Sequence, residues 1–81
     1  GHYPTYMALA SLTEEIGEVA QLLRKANRDN KELDLEKLKE ELGDVLWGVA
    51  MMANLHGISL KDVALGNLTK QLNRHPDAYA K

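Results

Sequence analysis

Four acidic residues stand where a surface acid gains least. Glu15 is followed four positions on by Val19, Glu18 by Leu22, Glu41 by Val45 and Asp44 by Gly48. On an exposed helix face that position commonly holds a basic residue that relieves the charge. Glu15 with Glu18, and Glu41 with Asp44, are each spaced by three, so each pair shares one side of a helix. At about 100° per residue Glu15 and Glu41 lie beside the apolar stripes rather than opposite them. If the two segments are antiparallel neighbours, four carboxylates converge at the margin of a core, where they repel and desolvate poorly. A hard divalent cation resolves that conflict, because Mg²⁺ and Mn²⁺ prefer oxygen ligands. A di-iron carboxylate bundle would need histidine three residues after a glutamate. Neither pair has one, so an all-oxygen site suited to Mg²⁺ is expected. The competing reading is two pairs of solvated acids on amphipathic helices.

Helices must position these residues. The first is predicted from about Thr5 to Asn27, opened by Pro4, with Leu9, Leu12, Ile16, Val19 and Leu23 as its apolar stripe. Asn27-Arg28-Asp29-Asn30 is a turn-prone polar cluster that ends it. The second starts after Asp34 as N-cap and runs to about His56, striped by Leu38, Leu42, Val45, Val49 and Ala53, with Gly57 as its stop. The third is capped by Ser59, with Asp62 three positions on, and ends near Arg74 before Pro76. Val63, Leu65, Leu68 and Leu72 form its apolar side. No alternating strand pattern, repeat or low-complexity stretch is present. The fold class is therefore all-α, an antiparallel helical bundle of three main helices per chain. Leu46, Trp47, Met51 and Met52 do not fit one narrow stripe, so completion by self-association into a homodimer or tetramer is expected.

Composition narrows the function classes. Eighty-one residues without cysteine make one small domain over residues 1–81, with residues 1–4 expected to be a tag or cleavage remnant or a flexible lead. An apolar share of 44% argues against disorder. A formal net charge of −2 argues against a nucleic-acid partner held by a broad basic field. The sequence has no apolar run long enough for a membrane span and no leader-like start, so no membrane association and a cytoplasmic setting are expected.

Glu14-Glu15-Ile16-Gly17-Glu18, followed by Glu41-Leu42-Gly43-Asp44-Val45-Leu46-Trp47, resembles the MazG-like, all-α nucleoside triphosphate pyrophosphohydrolases. That family's pattern is a double glutamate with a third three on, a spacer, then glutamate with aspartate three on. Asn67-Leu68-Thr69-Lys70 and Arg74-His75-Pro76 are similar to its third-helix stretch and Lys…Arg-His-Pro ending, so the resemblance spans about Tyr6 to Pro76. It implies Mg²⁺-dependent cleavage of a nucleoside triphosphate between the α- and β-phosphates, giving a monophosphate and pyrophosphate. Glu15, Glu18, Glu41 and Asp44 match the family's metal ligands, and Glu14 matches its extra glutamate, a candidate for orienting water. Catalysis would thus rest on Glu14, Glu15 and Glu41. Asn67 and Lys70 match positions used near the nucleotide, with Arg74 a further phosphate contact. Two departures stand out: family members usually carry another helix before the first glutamate motif, and they often have tyrosine where this chain has Gly48.

That chemistry suits the residues on its own terms. A triphosphate cannot dock on an acid cluster without intervening cations, while Lys70 and Arg74 would offset charge on the leaving pyrophosphate. Trp47 is a candidate for stacking on the base, although a lone tryptophan on a bundle helix is more often a core or interface residue. Gly48 either leaves room for a ligand or lets two helices approach. Met51 and Met52 read as packing residues, His56 as a helix-end cap, and Lys37, Lys39 and the charges around them as a solvated face. Two other functions fit parts of the pattern: a non-catalytic helical dimerisation or binding module, and a divalent-metal phosphohydrolase acting on another phosphate substrate.

Overall fold

In the computed structural model, which describes residues 1–79, three α-helices are followed by a short 3₁₀ turn. Helix α1 spans Tyr3–Arg28, with Pro4 in its first turn, where a missing N–H costs nothing. Lys25 and Arg28 lie in its last turn, where cations complement the helix dipole. Helix α2 spans Leu35–Leu55, and the Asp34 carboxylate accepts the Lys37 backbone N–H at 3.1 Å as its N-cap. Helix α3 spans Leu60–Arg74, capped by Ser59 Oγ accepting from the Asp62 N–H at 3.4 Å. The 3₁₀ segment is Pro76–Tyr79. Gly57 takes φ +67°, the left-handed conformation that ends α2 and that a side chain would oppose.

Helices α1 and α2 form an antiparallel hairpin. Thr5 Oγ1 and His56 Nε2, 51 positions apart in sequence, lie 2.9 Å from each other and tie the start of α1 to the end of α2. The seam runs through Ala8, Leu12, Glu15, Val19, Leu22 and Ala26 on α1, and through Leu38, Glu41, Val45, Gly48 and Met52 on α2, all at least half-buried. Steps of three and four are those of helices packed side by side. The expected α1 stripe is therefore split. Leu12 and Val19 enter the seam, whereas Leu9, Ile16 and Leu23 emerge one position round the helix and are exposed. On α2, Leu42 is exposed in the same way.

At one point the seam is especially close. A Cβ added to Gly48 would lie 3.0 Å from Leu12 Cδ1 and 3.4 Å from Leu12 Cβ. Close approach of the two helices is thus what this glycine permits. Helix α3 is held far more lightly: it meets the end of α2, while no α3 Cα comes within 8 Å of an α1 Cα. Among the described residues Ala53 is the one buried apolar residue, and no helix is long and apolar enough to cross a membrane.

Candidate metal centre

The middle of the α1–α2 seam is acidic. Glu41 occupies a position where a coiled pair would place leucine, and only 5% of its surface is exposed. Across from it α1 presents Glu15 and, one turn on, Glu18. Carboxylate oxygens of Glu15, Glu18 and Glu41 all lie within 4.8 Å of one another. Oε2 of Glu15 and Oε2 of Glu41 are buried, and among the described residues neither has a hydrogen-bond partner. A buried acceptor without a donor carries a desolvation cost of about 1–3 kcal/mol, more when charged. Two of them side by side ask for a cation.

The electrostatics agree with the geometry. The Glu15 carboxyl is pushed above its ordinary value of 4.5, first by burial and then by the charges of Asp44, Glu41 and Glu14. Glu18 is raised as well, chiefly by its hydrogen-bonding approach to the Glu41 carboxyl and then by the charges of Glu41 and Glu15. Lys37 opposes this. Its Nζ lies 3.3 Å from Glu41 Oε1, one helical turn back, and its positive charge holds Glu18 down in part. In return Glu41, Glu40 and Glu18 raise the lysine above 10.5. One half-exposed ammonium among these carboxylates relieves the cluster without neutralising it.

An all-oxygen donor set with two uncompensated buried oxygens fits a hard divalent ion such as Mg²⁺ or Mn²⁺. Among the described residues no nitrogen or sulfur ligand accompanies the three carboxylates, which disfavours zinc.

Of the residues singled out by spacing, the hairpin brings together Glu15, Glu18 and Glu41, with Asp44 and Glu14 near enough to act on Glu15 through their charge. Trp47 lies one turn beyond Asp44 on α2 and is 69% exposed. With Pro4, Met7, Ser11, Gly48 and Met51 it lines an apolar groove of about 390 Å³. Gly48 thus both admits Leu12 and helps floor this groove. Asn67, Lys70 and Arg74 are exposed on α3, away from α1, and within one chain they are not brought to the carboxylates.

Lys37 is the residue that the reading of spacing missed. The basic partner of Glu41 stands four positions behind it, not at the position four ahead that holds Val45. Counting in both directions would have found it.

Comparison with known proteins agrees with this geometry. Residues 5–79 match the family described as the MazG nucleotide pyrophosphohydrolase domain. Among curated proteins, the chain is 32% identical to the uncharacterized protein YvdC of Bacillus subtilis (strain 168), over 94% of this chain and 80% of that protein. It is 34% identical to the uncharacterized protein YpjD of the same organism, over the full chain and 76% of YpjD. The Gene 37 protein of Mycobacterium phage L5 is 37% identical over 78% of this chain, a match that spans 59% of the phage protein. No solved structure gave a significant match. With nearly its whole length matched, and with paired carboxylates meeting across two antiparallel helices, the chain belongs to the MazG nucleotide pyrophosphohydrolase family.

Proposed function

We propose that the chain hydrolyses nucleoside triphosphates between the α- and β-phosphates, releasing a monophosphate and pyrophosphate, with Mg²⁺ as its cofactor and Mn²⁺ as a substitute. The observation that carries this reading is the pair of buried, unpartnered oxygens on Glu15 and Glu41 within a cluster of three carboxylates. Family membership supplies the reaction class. Glu15, Glu18, Glu41 and Asp44 would hold the cation, the first three from the cluster whose oxygens lie within 4.8 Å of one another. A divalent cation held there would supply positive charge against the phosphates and would make water more acidic.

The chain's own groups do the rest. Glu14 stands beside Glu15 on the solvent side of α1 and orients the attacking water or takes its proton. Trp47 lines the apolar groove one turn from Asp44, a place where a base can leave water while its phosphates reach the acids. Asn67, Lys70 and Arg74 meet the phosphates, Lys70 and Arg74 offsetting charge on the departing pyrophosphate. This requires α3 to come against the hairpin, within one chain or from another. The protein works on the free nucleotides of the cytoplasm.

The test is a panel of ribo- and deoxynucleoside triphosphates incubated with Mg²⁺, with products identified by chromatography. Monophosphate and pyrophosphate in equal amounts are expected. Release of orthophosphate, or no turnover of any member, contradicts the reading.

A further inference from the structure

One stripe of α1 changes chemistry along its length. Met7, Ser11, Glu14, Glu18, Gln21 and Lys25 follow one another at steps of four and three, so they share a side of the helix. On α2, Met51, Trp47, Asp44 and Lys37 recur at steps of four, three and seven. Because the helices are antiparallel, the two stripes run alongside in the same order. The apolar groove joins Met7 and Ser11 to Trp47 and Met51. At the other end a second, open pocket of about 430 Å³ joins Glu18, Gln21, Leu22 and Lys25 to Lys37 and Glu41. Read from the start of α1, this side is apolar, then acidic, then basic.

A nucleoside triphosphate has the same order of chemistry: a flat base, a phosphate that needs a cation, and a tail of two further phosphates. We propose that the substrate lies along the hairpin in that direction, with its β- and γ-phosphates in the pocket bordered by Gln21, Lys25 and Lys37, and that Lys25 selects for a chain of three phosphates. This deepens the reading of the acids as a centre of nucleotide hydrolysis and rests on it.

The charges of the pocket favour that occupant. Its walls carry two carboxylates, Glu18 and Glu41, and two ammonium groups, Lys25 and Lys37, which cancel. A divalent cation on the carboxylates would leave the walls with two positive charges, enough to draw in an anion that the bare walls would not attract. Glu41 is only 5% exposed, lines this pocket and, among the described residues, has no hydrogen-bond partner for Oε2. The pocket therefore reaches the point where a cation is wanted.

The donors are of the right kind and in the right order. Lys37 Nζ already stands 3.3 Å from Glu41 Oε1. Gln21 Oε1 accepts from Arg24 Nη1 at 3.0 Å, which leaves the two amide N–H groups of Gln21 to donate. Lys37 lies one turn before Glu41, about 6 Å along the axis, and Lys25 lies two turns past Glu18, about 10 Å. A phosphate bonded to the one at the acids thus falls beside Lys37. The next falls toward Lys25, whose flexible four-carbon stem reaches back to it. A diphosphate ends short of Lys25. Lys70 and Arg74, by comparison, lie on α3, where no Cα comes within 8 Å of an α1 Cα.

Two measurements on the full chain test this. In the first, inorganic pyrophosphate is titrated calorimetrically into protein with saturating Mg²⁺ and into protein with chelator. Binding is expected only with Mg²⁺. Lys25→Gln is expected to weaken it about tenfold, and Lys25→Arg to restore most of it, while Mg²⁺ alone binds all three proteins alike. In the second, kcat/KM is compared for a nucleoside triphosphate and the matching diphosphate. The parent is expected to favour the triphosphate, and Lys25→Gln to narrow that preference about tenfold. Loss of a cation that merely complements the end of α1 would affect both substrates equally. Pyrophosphate affinity that ignores Lys25→Gln, or that falls in Lys70→Ala instead, overturns the proposal, as does an unchanged preference. A parent that binds pyrophosphate through Lys25 yet turns over no nucleotide would support the pocket and overturn only the hydrolytic reading.

Discussion

Two stretches of one seam, one helical turn apart on α1 and two on α2, are built for opposite ends. At Leu12 and Gly48 the helices approach until an added Cβ would stand 3.0 Å from a leucine methyl. At Glu15 and Glu41 the same backbone geometry presses carboxylates together and leaves two oxygens without donors. The first stretch gains dispersion and apolar burial. The second gives up both and adds repulsion. A seam optimised for stability would carry leucine at positions 15 and 41, so the acids mark the place where stability is exchanged for chemistry. The close contact next to them fixes how far apart the two helices stand, and hence the separation of the carboxylates.

The largest expected effect breaks the acidic stretch. Glu41→Gln nearly preserves shape while removing one charge and one strong ligand. Even changes to groups that merely orient a metal's ligands commonly cost 10–100-fold, so loss of a ligand should lower turnover by at least about 10²-fold. Steady-state assays under saturating Mg²⁺ check this, and near-parental kcat/KM would return Glu41 to a structural role.

Next comes the close-packed stretch. Gly48→Val inserts a branched side chain where Leu12 already fills the space, and overpacking of this kind costs about 1–3 kcal/mol. Urea unfolding should show a lower midpoint with an unchanged slope. The carboxylates should also be forced apart, so the Mg²⁺-induced rise in Tm should shrink although no acid has been altered. An undiminished rise would show that the two stretches are independent.

A third effect concerns protons. Glu15 and Glu18 titrate above their ordinary value of 4.5 in the folded chain. A raised carboxyl pKa means that folding favours the protonated form. Its contribution is fully present below the unfolded value and is lost as pH rises through the folded one. Metal-free protein should therefore lose stability from these two groups as pH rises from about 4.5 toward neutrality, and Glu15→Gln should flatten that fall in melting curves. Mg²⁺ competes with the same protons, so the shift it produces should grow over the same interval. A metal-free trend identical in parent and Glu15→Gln would contradict this.

The smallest effect sharpens the contrast from the side of Lys37. Its pair with Glu41 is half exposed and spaced i,i+4, a type worth about 0.3–0.5 kcal/mol. Lys37→Met should lower metal-free stability by no more than about that much, while tightening Mg²⁺ binding because a competing positive charge is gone. Calorimetric titration reads the second quantity. Weaker binding would mean that the lysine organises the site rather than competing for it.

Much of this architecture is legible in the sequence. The caps at Asp34 and Ser59, the stop at Gly57 and the approach of Glu15 and Glu18 to Glu41 across antiparallel helices all follow from residue type and spacing, while Asp44 stays outside that cluster. What spacing does not reveal is which of two adjacent apolar repeats faces the sister helix. Leu9, Ile16 and Leu23 are as apolar as Leu12 and Val19, yet the seam turns one position away from them and takes in Glu15 instead. Periodicity measures that a helix has an apolar side; it carries no label for what covers that side. The same limit applies to α3. Its Leu65, Leu68 and Leu72 read as a core face and are exposed, because α3 meets the end of α2 and the 3₁₀ turn but not α1. Pairing across space is set by the whole assembly, and one helix's pattern reports only its own half.

The central claim is that the acids in the seam are held there for a divalent cation. Melting curves of the parent and of Glu41→Gln, each with excess chelator and with Mg²⁺ at about a hundredfold over its dissociation constant for the parent, test it most directly. A ligand that binds only the folded state at that excess stabilises by about 2.7 kcal/mol, which for a chain this small raises Tm by roughly 10 °C or more. The account predicts that rise for the parent and a much smaller one for Glu41→Gln, with the metal-free variant at least as stable as the metal-free parent. Equal and small shifts in the two proteins would contradict it.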